Sequence, residues 1–524
     1  MNHRHPASPI LKAPIRGIHR IICTIICGSF LAGLTLSPRG LPAAEHQFRV
    51  MFHDQIRKES FTGRVYLFFT KDGRKEPRFG PDWFRPEPFA AIEVSGWKPG
   101  ETLTIQTAKP GRLLTYPEQF SDLDLSDHRV QAVARFNPWE RAVGNGAGNG
   151  FSDVLAVAEV DSATKDDLPP LIIDHIVTER RFEETAASKL LEVRSELLSK
   201  FHRRDVSMRA SVLLPASYER SPDRRYPVIF TIPGFGGTHL EGRRTQSQQE
   251  ANERGIEFLR VVLDPSCPLG HHVFADSANN GPAGTALVTE LLPELDKRFR
   301  TVAAPTARFL TGHSSGGWSS LWVQVTHPDV FGGTWSTAPD SVTFQDFSAI
   351  DLTKPDTNFY FRDAAGREPR PIARRGDQVL IWLRDFDRME EVVGPGGQLH
   401  SFEAVFGPKG SDGRPVRLWN RDSGRVDSAV AKAWEAYDIR LVLERNWPTI
   451  GPQLKGKLHV FMGELDTFYL NGATQLLKES LDKLGSDAVV EIHPGKDHGS
   501  LMTPDLLRRI RAEMTTAFLR HHEP

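Results

Sequence analysis

The chain has 524 residues, 39% of them apolar and 25% charged, with 65 Lys and Arg against 66 Asp and Glu. This is ordinary globular composition, too long for one typical domain, and a formal charge of −1 leaves no basic excess for nucleic-acid phosphates. Three cysteines exclude a disulfide scaffold and a multi-cysteine zinc module.

Residues 1–44 contain Arg4, Lys12, Arg16 and Arg20 and no acidic side chain. An apolar run over 21–36, IICTIICGSFLAGLTL, leads to Leu41-Pro42-Ala43-Ala44. A basic start, an apolar stretch and small residues at a cleavage point compose a secretory signal peptide. The run is shorter than the about 18–20 residues that span a bilayer, an uncleaved anchor being the alternative. The expectation is an exported protein, periplasmic or secreted, with no stable membrane insertion after cleavage. Cys23 and Cys27 leave with the signal, so Cys267 would be the single thiol of the mature chain.

Residues 45–160 read as short alternating strands broken by Gly and Pro, among them 64–70 (RVYLFFT), 90–94 (AAIEV), 102–107, 130–136 and 154–160. Such spacing predicts a small β-sandwich domain. Residues 161–170 (DSATKDDLPP) are polar and end in a double proline, as a linker does. From 171 to 524 strands alternate with helices. Strands are predicted at 207–214, 227–232, 257–263, 307–311, 333–337, 457–462 and 488–492, and helices at 284–299, from about 315, at 471–484 and at 504–519. Buried strands separated by helices give an α/β fold with a doubly wound, mostly parallel sheet. Residues 340–456, with Trp382, Trp419, Trp434 and Trp447, form a large insertion expected to have its own structure over one end of that sheet.

Gly312-His313-Ser314-Ser315-Gly316 is a G-x-S-x-G sequence between a predicted strand and a predicted helix, the setting in which this turn lifts a serine hydroxyl clear of a sheet. Side chains at 312 and 316 would collide with neighbouring backbone. A serine nucleophile needs a base, and the base an orienting carboxylate. In such sheets the chain order is Ser, acid, His, which nominates Ser314, Asp466 and His498. Asp466 lies in GELD after the strand at 457–462, and His498 in HPGKDHG after the strand at 488–492. Glu464 and His493 are the competitors. Asp497 is adjacent to His498 and badly placed to reach the same imidazole. The oxyanion hole is assigned to the backbone N–H groups of Ser315, at a helix N-terminus, and Phe235, in the loop Pro233-Gly234-Phe235-Gly236-Gly237.

The segments YPVIFTIPGFGG (226–237), FADSANNGPAGTALVTELLPELDKRF (274–299), GHSSGG (312–317), GELDTFYL (463–470) and GKDHGS (495–500) resemble one branch of the α/β-hydrolases. That branch holds the esterase D type, feruloyl esterases, enterochelin-esterase-like proteins and related acyltransferases. The resemblance covers about 205–337 and 457–520 and implies the same triad. It also marks Asp276 and Asn280 as residues of a cleft wall, with His313 beside the serine as a further candidate substrate contact. His271-His272 come without H-E-x-x-H or a cysteine pair, so no metal and no cofactor is expected. The expected partner is a small-molecule or glycan-linked ester, not nucleic acid, with oligomeric state left open. The expected activity is a serine carboxylesterase acting through an acyl-enzyme; the alternatives are an acyltransferase of the same fold and a non-catalytic binding protein on a hydrolase scaffold.

Overall fold

Along Gln47–Phe52 every second residue is buried, the period of a strand with one face on a core. In the computed structural model, which describes residues 46–107, 113–161, 168–244, 254–363 and 365–522, that strand belongs to a nine-stranded sheet. The expected signal at 1–44 and residues 162–167 of the expected linker lie outside the described residues.

The sheet runs Leu103–Gln106, Gln47–Phe52, Leu171–Ile176, Gly150–Ser152, Arg129–Ala134, Phe61–Thr70, Phe89–Trp97, Leu113–Tyr116, with Leu155–Ala156 pairing to Arg129–Ala134. Three strands separate those of Phe48 and Phe69, which would hold the two rings roughly 19 Å apart in a flat sheet. Their centroids are 5.5 Å apart, and Phe52 meets Trp97 at 4.6 Å. The sheet therefore folds over its own core. Leu171–Ile176 pairs parallel to Gln47–Phe52 and antiparallel to Gly150–Ser152, so the β region continues past residue 171, where the sequence reading starts the α/β part.

Eight strands build the second sheet: β1 (Ser188–Arg194), β2 (Ser207–Leu213), β3 (Val228–Ile232), β4 (Leu259–Leu263), β5 (Arg308–His313), β6 (Gly333–Thr337), β7 (Leu458–Gly463) and β8 (Val489–His493). Their order is β1-β2-β4-β3-β5-β6-β7-β8. Only β2 runs against the rest. Parallel neighbours require crossover connections, and the helix α1 (Ser315–Thr326) supplies the one from β5 to β6. Because β5 to β8 are parallel, the residues that follow each of them emerge at one edge, where α/β sheets gather their chemistry.

Between β6 and β7 the chain forms the hairpin Pro371–Arg375/Gln378–Trp382, the helices α2 (Leu383–Val393) and α3 (Gln398–Phe406), and two more at Ser428–Trp434 and Ile439–Leu454. Trp419 and Trp434 anchor the core of this insertion, Trp419 stacked on Phe359 at 3.8 Å and Trp434 edge-on to Phe344 at 5.4 Å. The last carbonyls of a helix have no partner inside it. Those of α2 find theirs in the N-terminal sheet: Arg64 donates to the Glu391 and Val392 oxygens and Tyr66 to that of Val393, at 2.8, 2.9 and 2.6 Å. Among the described residues no helix is long and apolar enough to cross a membrane.

Candidate active site

Ser314 stands between β5 and α1 with φ of 60° and ψ of −127°, a strained backbone for a residue with a side chain. The turn holds because its flanking glycines have no Cβ. One at Gly312 would meet the Gly316 oxygen at 2.1 Å, and one at Gly316 the Ile232 oxygen at 1.9 Å. Ser314 N–H donates to the Thr337 oxygen at 3.0 Å, tying the turn to β6. Its side chain stays partly exposed while Ser315 is buried at the first turn of α1.

Asp466 follows β7 and is fully buried. Its Oδ2 lies 2.7 Å from His498 Nδ1, while Oδ1 accepts the Phe468 and Leu470 N–H groups at 2.8 and 3.3 Å. An acceptor on Nδ1 puts the proton there and frees Nε2 as a base. Phe468 stands edge-on to the imidazole at 5.0 Å, and the His313 ring lies 4.6 Å from it. Burial and the neighbouring His498 push the His313 imidazole down to about 4, so it packs as a neutral ring. Glu464 accepts the Gly495 N–H at 2.9 Å and is exposed, bracing a loop. His493 lies 3.4 Å from Glu491, and Asp497 bonds to Ser500.

A second carboxylate, from the third residue after β6, was not singled out by sequence. Asp340 is buried; its Oδ2 accepts the Ser315 hydroxyl at 2.5 Å and the Gln398 amide at 3.5 Å. Burial raises it to about 6 against the pull of that hydroxyl and of His498, with a smaller hydrogen-bond contribution from Ser314. Among the described residues the Ser314 hydroxyl has no hydrogen bond of normal geometry to His498. Ligand-free hydrolases often hold this pair loosely until substrate arrives.

The loop after β3 abuts the serine: a Cβ at Gly234 would lie 3.2 Å from the His313 oxygen and 3.5 Å from Ser314 Cβ. Gly237 N–H closes a turn onto the Gly234 oxygen at 3.0 Å, with Gly236 at φ 87°. This brings Phe235 beside the Ser314 turn. His271 fixes the loop from behind. Its Nδ1 accepts the Val273 N–H at 3.0 Å, so its proton is on Nε2, which donates to the Pro233 oxygen at 3.0 Å. Burial pushes this imidazole down to about 3 and that of His272 to about 4.

Asp276 and Asn280 are not brought to this group; among the described residues neither bonds to Ser314, Asp466 or His498. Asp276 is exposed and accepts the Thr285 N–H and hydroxyl. Asn280 is buried, takes an N–H bond to Ser277, and its carbonyl meets His202 Nε2 at 3.2 Å. The Asp276 carboxylate satisfies nearby backbone in this way, whereas both of these Asn280 bonds are made by its main chain and its side-chain amide nitrogen has no partner among the described residues. The N-terminal β region supplies a part of the wall that sequence did not assign. Trp83 lies 5.6 Å from Phe235, 5.5 Å from Phe386 and 6.3 Å from Phe468, and Phe84 lies 6.0 Å from Phe468.

A family model described as "Putative esterase" matches residues 202–441. Similar solved structures include a ferulic acid esterase (15% identity, 63% of this chain and 99% of that one, TM-score 0.39). An S-formylglutathione hydrolase from Agrobacterium tumefaciens gives 15% identity over 64% and 98%, with TM-score 0.40. Dipeptidyl peptidase 4 of Porphyromonas gingivalis gives 11% over 82% and 48%, with TM-score 0.34. The segment similar to this esterase model runs from just before β2 into the insertion between β6 and β7 and so contains Ser314 and its turn.

Proposed function

We propose that this esterase-branch α/β-hydrolase is an exported serine carboxylesterase with Ser314, His498 and Asp466 as its triad. Ser314 rotates its hydroxyl to His498 Nε2 and attacks the ester carbonyl as the imidazole takes the proton. Asp466 holds the ring and balances the imidazolium. The Ser315 and Phe235 N–H groups receive the oxyanion, where fixed donors at a helix N-terminus act without reorganising. His498 then protonates the departing alcohol, and water, activated by the same imidazole, releases the acyl group from Ser314.

The observation that carries this reading is the 2.7 Å His498–Asp466 pair at the strand edge where Ser314 sits on its strained turn. Export rests on the basic, then apolar, residues 1–44; N-terminal sequencing of the protein from the cell envelope or medium checks it. The catalytic test is hydrolysis of 4-nitrophenyl acetate and butyrate. Ser314→Ala is expected to lose on the order of 10⁴-fold or more in kcat and to lose labelling by a fluorophosphonate. Equal rates from the two proteins would end the reading.

A further inference from the structure

A cavity of about 180 Å³ lies between the N-terminal β region and the insertion, alongside Phe235. Its walls mix apolar side chains, Phe68, Trp83 and Met389 among them, with the polar Arg78, Asn145 and Glu390. Two cations line it, Arg78 and Arg141, and they differ. The guanidinium of Arg141 has no hydrogen-bond acceptor and no carboxylate partner among the described residues.

The other arginines nearby each find acceptors for at least one of their guanidinium nitrogens, although Arg135 Nε has none among the described residues. Arg78 bonds to Glu76 and the Gly144 oxygen, Arg135 to the Pro395 and Glu140 oxygens, and Arg421 to Glu403 and Glu391. Arg141 lies 4.8 Å over the face of Phe235. That contact provides no hydrogen-bond acceptor for the guanidinium N–H donors. The acid nearest on the cavity wall, Glu390, is turned to the start of α3, where its oxygens accept the Gln398, Leu399 and His400 N–H groups at 2.5, 2.9 and 3.3 Å. Burial pushes that carboxyl up to about 7 and the Arg141 guanidinium down. Arg141 is half-buried on the cavity wall, and a planar carboxylate is the acceptor that its guanidinium fork fits.

The cavity adjoins the reacting centre. Arg141 has a terminal nitrogen 3.5 Å from where a Cβ on Gly236 would be, and a Cβ on Gly234 would be equally close to Ser314 Cβ. Two residues of chain span at most about 7 Å, so one short molecule reaches both.

We propose that Arg141 anchors a carboxylate on the substrate: the enzyme takes esters whose acyl or alcohol part carries an ionised carboxyl group seated in this cavity. The proposal rests on the esterase reading and gives its substrate class, and it assigns the N-terminal β region a share in recognition through Trp83 and Arg141.

Two matched pairs of esters test it. The acyl arm sets 4-nitrophenyl butyrate against the mono-4-nitrophenyl ester of glutarate; the alcohol arm sets phenyl acetate against 4-carboxyphenyl acetate. Wild type is expected to prefer the charged member of one pair. Arg141→Gln is expected to lower kcat/KM for that member about ten- to a hundred-fold more than for its neutral partner, mainly through KM, with partial rescue by Arg141→Lys. Should Arg141→Gln fail to fold, an ionic-strength series on wild type gives the same reading: the charged member alone loses rate as salt screens the contact. Preference for the neutral member in both pairs, or equal losses on both members, overturns the proposal. Calorimetry of Ser314→Ala with monomethyl glutarate separates this from the catalytic reading. Binding that disappears in the Ser314→Ala/Arg141→Gln double variant supports the anion site even if no ester is turned over, and no binding to Ser314→Ala overturns it.

Discussion

Asp340 and Asp466 occupy the same place on neighbouring strands, each the third residue past the end of β6 or β7, and both are buried. Their partners differ. Asp466 receives an imidazole and two backbone N–H groups. Asp340 receives a serine hydroxyl and a distant amide and is driven up to about 6 by burial. A position at the catalytic edge thus offers a carboxylate but does not give it a role; the donors around it decide whether it can balance a charge that develops on histidine.

Between the two carboxylates, Asp466→Asn should show the larger effect, a fall of about 10³- to 10⁴-fold in kcat, because the amide favours the wrong imidazole tautomer. The fall should occur with little change in the melting curve. An intermediate loss, about ten- to a hundred-fold in kcat, is expected of His271→Ala, which releases the Pro233 carbonyl and with it the Phe235 N–H; KM for a small ester should move less. Asp340→Asn should cost under about tenfold in kcat. A loss equal to that of Asp466→Asn would erase the distinction between the two carboxylates.

The smallest effect is one of stability, and its sign is fixed. An ordinary aspartate ionises near 3.8, whereas folded Asp340 holds its proton to about 6. Between those values the unfolded chain binds fewer protons than the folded one, so folded stability falls as pH rises through this window and stays lower above it. Asp340→Asn should therefore raise the melting temperature relative to wild type at pH 8 more than at pH 4. The reverse ordering would mean that the ionised carboxylate is better accommodated than its hydroxyl partners allow.

The turn at Ser314 is legible in sequence because Gly312 and Gly316 are required by backbone contacts that admit no Cβ. The pairing of Asp466 with His498 follows from strand order, since parallel neighbours must release their next residues at one edge. Asp340 left no comparable trace: nothing local marks a single carboxylate as buried under the Ser315 hydroxyl. Asp276 shows the converse, a polar residue in a resembling segment whose bonds go to nearby Thr285 rather than to the candidate site. Leu171–Ile176 has the composition of a strand, but its partner Gln47–Phe52 lies more than a hundred residues away in the chain. The aromatic wall of Trp83 and Phe84 is likewise a product of packing between distant segments.

The hold that Arg64 and Tyr66 keep on the end of α2 bears on how this molecule can be taken apart. A shortened version beginning at residue 188 would keep all eight strands of the second sheet yet strip three main-chain acceptors of their donors and bare the insertion's flank. Trimming for crystallisation or fusion is therefore better directed at the termini than at the junction between the two sheets.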